Sequence, residues 1–189
     1  MPRHILLLRG INLPRYKRVS MPGLRDALTA AGFEGVRTYL HSGNVVLDSD
    51  SSPAEVTAAS VSVLKATFGH DVEVLLRTAG ELADVVKGNP LGDVAVEPKR
   101  YIVTFLSEPA GPAALDRLRA AAAPQERLAV IGREIYSWHP PGVARLTLWE
   151  KLGSINLGVT ASSRNWNTVL ALLAMCATGA GSDPSELSG

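Results

Sequence analysis

The chain has 189 residues, 46% of them hydrophobic and 20% charged, which suffices for one large domain or two small ones. Its formal net charge is +1, so no global field draws it to nucleic acid or to a membrane, and any such role needs a local patch. No apolar run reaches the ~18 residues of a membrane-spanning helix, and one cysteine, Cys176, excludes an internal disulfide or a cysteine-based zinc site. A reducing cytoplasm fits this usage.

The apolar run Ile5–Leu8 is cut short by Arg9, too early for a signal peptide. It reads as a strand buried on both faces. A loop over residues 10–20 follows, ending in Ser20 as an N-cap with Pro22 in the first helical turn. Met21, Leu24, Leu28 and Ala31 repeat at helical spacing, and Gly32 supplies a left-handed stop. Val36–Leu40 and Val45–Leu47 flank the turn His41-Ser42-Gly43-Asn44 as a hairpin. Ser52-Pro53-Ala54-Glu55 is a capping box for a helix running to Phe68 and stopping at Gly69. Val72–Leu76 is a strand. Thr78-Ala79-Gly80-Glu81 is a second capping box, for a helix through Val86 that ends at Gly88.

Residues 4–76 therefore read β-α-β-β-α-β, the ferredoxin-like order. Residues 89–99 read as a linker. Beyond it the pattern restarts. Tyr101–Leu106 is a strand, Ala113–Ala123 a helix with Leu115 and Leu118 inward, and Leu128–Ile131 and Ile135–Trp138 flank a Gly132-Arg133 turn. Leu146, Trp149 and Lys151–Leu152 read as a short helix. Trp166, Val169, Leu170, Leu173 and Cys176-Ala177 form a helical stripe. No closing strand is expected in this half, and the tail from Gly179 reads as frayed. The expected fold is α+β, two ferredoxin-like halves over residues 1–88 and 100–189 with mainly antiparallel sheets and extra C-terminal helices.

Three polar segments are candidates for a site. In the first loop Arg9, Arg15, Lys17 and Arg18 gather with no acid before Asp26, and Asn12 adds amide donors. Loops at strand ends just before a helix suit anions; the same residues also read as a solvated basic loop. The loop lacks the spacing of a P-loop. In the second, Ser42 and Asn44 offer hydrogen bonds to a ligand, while Ser, Gly and Asn are equally what a tight turn requires. In the third, Ser162 or Ser163 is read as the cap of the last helix, with Arg164, Asn165, Trp166, Asn167 and Thr168 around an anion-attracting N-terminus. The other reading is a capped core helix anchored by Trp166.

The histidines, His4, His41, His70 and His139, show no metal-ligand spacing. Glu150 and Lys151 read as a surface pair, Cys176 as a small core residue. No dinucleotide fingerprint is present, so no metal or cofactor is expected.

Leu7-Leu8-Arg9-Gly10-Ile11-Asn12, Tyr39-Leu40-His41-Ser42-Gly43-Asn44-Val45-Val46 and Thr160-Ala161-Ser162-Ser163-Arg164-Asn165-Trp166-Asn167-Thr168 together resemble the bacterial domain-of-unknown-function 1697 family, in order and spacing, from residue 3 to about 178. The resemblance implies a compact α+β protein with ferredoxin-like elements and brings no activity with it. Leu13-Pro14-Arg15-Tyr16-Lys17 departs from the family's usual Val-Gly-Gly-Lys, which weakens a glycine-lined phosphate cradle. His41 stands where the family often has glutamine, and Leu47 where an aromatic is frequent.

The leading functional expectation is a small-ligand binder or enzyme holding an anionic or phosphorylated ligand through Arg9, Asn12, Lys17, Ser42, Gly43, Asn44, Arg164, Asn165, Asn167 and Thr168. Polar residues in loops report a site more often than they report packing. An interaction module without an active site, monomeric or homodimeric, is the alternative. Nucleic acid is disfavoured, because Val45, Val46 and Leu47 occupy the strand where a stacking platform would sit. A membrane partner is not expected.

Overall fold

Ile5, Leu6 and Leu7 have no exposed surface and Leu8 almost none. A strand with both faces apolar belongs in the middle of a sheet that is covered on both sides. The computed structural model, which describes residues 1–13, 17–141, 148, 152 and 156–178, places it there. The chain divides into two compact units, Val85–Val169 and Met1–Asp84 together with the segment that starts at Leu170. Each is described by itself.

In the first unit, β1 (Arg3–Leu8), β2 (Glu34–Tyr39), β3 (Asn44–Asp48) and β4 (Val74–Thr78) form an antiparallel sheet of order β2-β3-β1-β4. This is the ferredoxin-like order read from the sequence. Helix α1 (Met21–Ala30) starts at Ser20, whose side chain accepts from the Gly23 amide. Helix α2 (Pro53–Phe68) carries the full Ser52/Glu55 capping box and stops at left-handed Gly69. Helix α3 (Ala79–Lys87) opens on reciprocal bonds between Thr78 and Glu81. Leu6, Leu8, Val45, Leu47, Val74 and Leu76 share one sheet face and form a core with Leu24, Leu28, Val56 and Leu64.

On the opposite face Arg3, Asp48 and Arg37 share one task. Arg3 forms a bidentate pair with Asp48 at 2.7 and 2.9 Å. Its remaining nitrogen donates to the carbonyls of Cys176 and Thr178, and Arg37 donates to the Met175 carbonyl at 2.6 Å. These carbonyls end helix α5 (Trp166–Ala177). The last carbonyls of a helix lack internal partners, and its C-terminus attracts cations. The segment from Leu170 thus groups with the first unit, whereas the sequence pattern assigns it to the second half. Burial pushes the Cys176 thiol up to about 11, which suits an unreactive packing role.

In the second unit, β5 (Tyr101–Leu106), β6 (Arg127–Ile131), β7 (Glu134–Trp138) and β8 (Ala161–Asn165) pair antiparallel in the order β6-β7-β5-β8. Helix α4 (Pro112–Ala121) packs Ala114 and Leu118 into a core with Leu106, Ile135, Leu148, Leu152 and Leu157. The expectation of no closing strand is corrected, since Ala161–Asn165 is that strand. Its sequence, Ala-Ser-Ser-Arg-Asn, has no apolar alternation, and pairing with β5 supplies what propensity does not. Of the short helix expected at 146–152, only Leu148 and Leu152 are described residues; Leu146, Trp149, Glu150 and Lys151 lie outside them, as do Arg15 and the tail from Gly179.

The two units repeat one another in detail. Leu8 N–H donates to the Gly43 carbonyl and Leu106 N–H to that of Arg133; Arg9 N–H bonds Glu73, and Ser107 N–H bonds Thr160. Ile5 is paired with Arg77 and Val103 with Arg164. Both arginines are buried, and each directly precedes the residue that caps the next helix, Thr78 or Asn165. Among the described residues no helix is long and apolar enough to cross a membrane.

Replacing Arg3 by Met leaves Asp48 and two helix-end carbonyls without their donor. The unfolding free energy should fall by about 2–3 kcal/mol in denaturant titration, the scale of one or two hydrogen bonds to a charged group rather than the sum of four, because solvent screens part of the pair and bonds of one group do not add. Arg3 holds the Asp48 carboxyl below its usual range. The stabilisation from this pair is present above the ordinary carboxylate value of about 3.9 and is lost as pH falls through the lower folded value. The gap between wild type and variant should therefore close in acid.

Candidate functional site

Strand order brings three connections of the first unit to one end of its sheet: the loop after β1, the β2–β3 turn and the approach to β4. Backbone bonds stitch them, from Leu8 N–H to the Gly43 carbonyl at 2.8 Å and from Arg9 N–H to that of Glu73 at 2.9 Å. Asn12 is the rivet. Its Nδ2 donates to the carbonyls of Val19 and His41, both at 2.8 Å, and its Oδ1 accepts from the Val19 amide at 2.9 Å. The amide that the sequence offers to a ligand is thus spent on joining loop to hairpin.

The same economy holds for the turn. Asn44 is fully buried, and its Nδ2 donates to the Tyr39 carbonyl and to the Ser42 hydroxyl. A Cβ at Gly43 would lie 2.6 Å from Leu8 Cβ and 2.8 Å from Ile11 Cδ1, so only glycine lets the turn close on the loop. Arg9 is paired with Glu73, and Lys17 donates to the Asp71 carbonyl.

What stays outward is a different set. Arg18, His41 and Ser42 are exposed. Arg18 makes no hydrogen bond or ion pair among the described residues. Leu13 and Leu40 are 51% and 57% exposed. Gly10, Asn12, Leu40 and Gly43 all have left-handed backbones, with φ of 65°, 54°, 56° and 78°. For leucine that conformation costs about 1–2 kcal/mol, and strain of this kind clusters at binding sites. The backbone N–H groups of Gly10 and Ile11 donate to nothing among the described residues.

The second-unit group sits where β8 runs into α5. The expected cap at Ser162 or Ser163 is corrected to Asn165, whose Oδ1 accepts from the Thr168 amide and hydroxyl, both at 3.0 Å. Ser162 and Ser163 lie in the strand. Arg164 donates to the Ser162 hydroxyl and the Ser163 carbonyl, and burial lowers its pKa to about 10, so it remains a cation at neutral pH. Trp166 is buried and stacks on Tyr101 with centroids 4.8 Å apart. Asn167 is the exposed member of the group.

Sequence reasoning missed one cluster. His139 Nδ1 lies 2.8 Å from Glu126 Oε1, and its Nε2 lies 3.1 Å from the Ser137 hydroxyl. With Nδ1–H donating to Glu126, Nε2 is left to accept the serine proton. Glu126 also accepts from the amides of Ala123 and Leu148. The connectivity is that of a nucleophile, base and orienting acid, but Ser137 has no exposed surface, so the group acts as a buried polar network. The signal was present: the hairpin register across the Gly132-Arg133 turn ends at Arg127 and Trp138, and one further step of the same count sets Glu126 against His139. Among the described residues no three His, Cys, Asp or Glu side chains gather as a metal site.

A family model described as "Protein of unknown function (DUF1697)" matches residues 1–136, which is the family expected from the three polar segments. A solved structure titled "The structure of conserved bacterial protein SP0830 from Streptococcus pneumoniae" is similar over 92% of this chain and 98% of its own, with a TM-score of 0.77 and 21% identity. At that identity the likeness shows the fold. No curated protein matches.

Leu40→Gly and Asn12→Ala should move stability in opposite directions. Glycine relieves about 1–2 kcal/mol of backbone strain against about 0.4–1 kcal/mol of added unfolded-state entropy, so thermal unfolding should rise. Asn12→Ala strips donors and an acceptor from two carbonyls and an amide, and should cost about 1–3 kcal/mol.

Proposed function

The chain belongs to the family described as "Protein of unknown function (DUF1697)", and on that premise, which supplies no activity, we propose that it binds a small oxyanion-bearing ligand at the turn end of the first unit. The observation that carries this is the convergence of four left-handed residues with two unspent amides, those of Gly10 and Ile11, beside Arg9 and Arg18. Backbone amides in such turns form concavities that hold phosphate and carboxylate groups. Arg9 and Arg18 supply charge, and the Ser42 hydroxyl lies on the same end. Asn12, Gly43 and Asn44 act by building the turn rather than by touching the ligand. Lys17 fastens the loop to Asp71.

The helix start at Asn165–Thr168 is a second place for an anion, through the helix dipole and the exposed Asn167 amide. It ranks lower because Asn165 and Thr168 satisfy one another and because Arg164 bonds its own strand. A nucleic-acid reading finds no stacking platform on the second sheet. Tyr101, Phe105, Tyr136 and Trp138 do lie on one face of the second sheet, yet all are buried, so bases have no platform to stack on.

A thermal-shift panel of phosphate, sulfate, nucleotides and sugar phosphates tests the proposal. A binder of the folded state adds about 2.7 kcal/mol at a hundred times its dissociation constant. The expected result is a hit that Arg18→Ala and Arg9→Ala weaken at least tenfold, while Asn167→Ala leaves it unchanged. A hit lost only in Asn167→Ala moves the site to the helix start and overturns the reading, as does a flat panel on folded protein.

A further inference from the structure

In each sheet the second strand is an edge, β2 in the first unit and β6 in the second. An open edge offers unpaired N–H and C=O groups, and proteins blunt such edges with bulges and charges. β2 is blunted: its register shifts between Glu34 and Arg37, and Gly35 is left-handed with φ of 56°. Arg25 also crosses to the Thr38 hydroxyl. β6 has no bulge and no left-handed residue, and its one charge is Arg127 at its start. Its five residues, Arg127-Leu128-Ala129-Val130-Ile131, pair with β7 in unbroken register. Among the described residues their backbone groups bond to no other element. Leu128, Ala129 and Val130 are half-buried, and Ile131 is 47% exposed.

We propose that the outer edge of β6 is a pairing surface for a second copy of this chain, joined antiparallel about Ala129. The sequence of the strand fits itself in that register. Leu128 falls opposite Val130 of the second copy, Ala129 opposite Ala129, and Arg127 opposite Ile131. The three central pairs then set apolar residues against apolar residues, as cross-strand pairs prefer, and at the two outer pairs Arg127 meets Ile131, so no like charges are opposed. Centring the pair on Val130 instead would set Arg127 against Arg133 of the other copy, a repulsion that disfavours that register. A two-fold contact of this kind is self-complementary and closes on itself, so it yields a dimer rather than a fibre. It also explains why an edge this apolar survives without a bulge or an inward charge: the second copy covers it.

The register makes the test specific. Ile131 is exposed, so a charged residue there leaves the fold intact, as circular dichroism would verify. Ile131→Lys places a cation opposite Arg127 of the other copy at both ends of the contact. Ile131→Glu places a carboxylate there instead. Sedimentation equilibrium across a wide protein concentration range should show a monomer–dimer equilibrium in the wild type. It should show at least a tenfold weaker dimer in Ile131→Lys and a dimer retained or tightened in Ile131→Glu. A wild type that stays monomeric at every concentration overturns the proposal, as does a dimer that Ile131→Lys leaves unchanged.

Discussion

The first unit depends on two guanidiniums placed at the end of a helix far away in sequence. Arg3 and Arg37 belong to β1 and β2, and the carbonyls they hold belong to Met175, Cys176 and Thr178. Without them the last turn of α5 would present unpaired oxygens to a sheet face on which Ile5, Leu7, Val46 and Leu75 are all buried. An unsatisfied group at such a place costs about 1–3 kcal/mol. Asp48 completes the arrangement by fixing the Arg3 fork, so that its outer nitrogen can aim at the helix. Planar, bidentate recognition of this type is what arginine offers and lysine does not.

Local chemistry made much of the fold legible in the sequence. Ser20, the Ser52/Glu55 box and the Thr78/Glu81 box each announce a helix start through a bond spanning three residues, and Gly69 ends α2 through its own φ. The apolar runs at Ile5–Leu8 and Tyr101–Leu106 announce central strands. The misreadings share another cause. Ser162 and Ser163 were natural helix caps until β5 claimed them as a ladder, because tertiary pairing overrides the preferences of small polar residues. The Arg3 clamp joins residues so distant in sequence that no window contains both.

The candidate site shows the same division from another side. Of the segments singled out, residues 9–12 lie against 41–44 in the first unit, while residues 164–168 belong to the second. Polar character alone, however, did not separate the groups that build a turn from those left over to meet a ligand. Asn12, Asn44 and Asn165 are spent on carbonyls and amides that only the folded chain reveals. The groups still available at the turn end are the main-chain amides of Gly10 and Ile11 and the exposed Arg18. Backbone conformation at Gly10, Asn12, Leu40 and Gly43 sets these, and only the glycines hint at it in the sequence.

The tie between the two ends of the chain bears on how the protein is made. Synthesis on the ribosome runs from the N-terminus and usually lets the first domain finish first, as residues emerge at about 5–20 per second. Here the unbroken stretch Val85–Val169 can complete itself while the opening unit still waits for its final turn. Arg3 and Arg37 reach their partners only after Thr178 has left the exit tunnel. The first strand made is thus among the last to be sealed, and emergence of residues 175–178, rather than of any early segment, sets the moment at which the opening unit becomes whole.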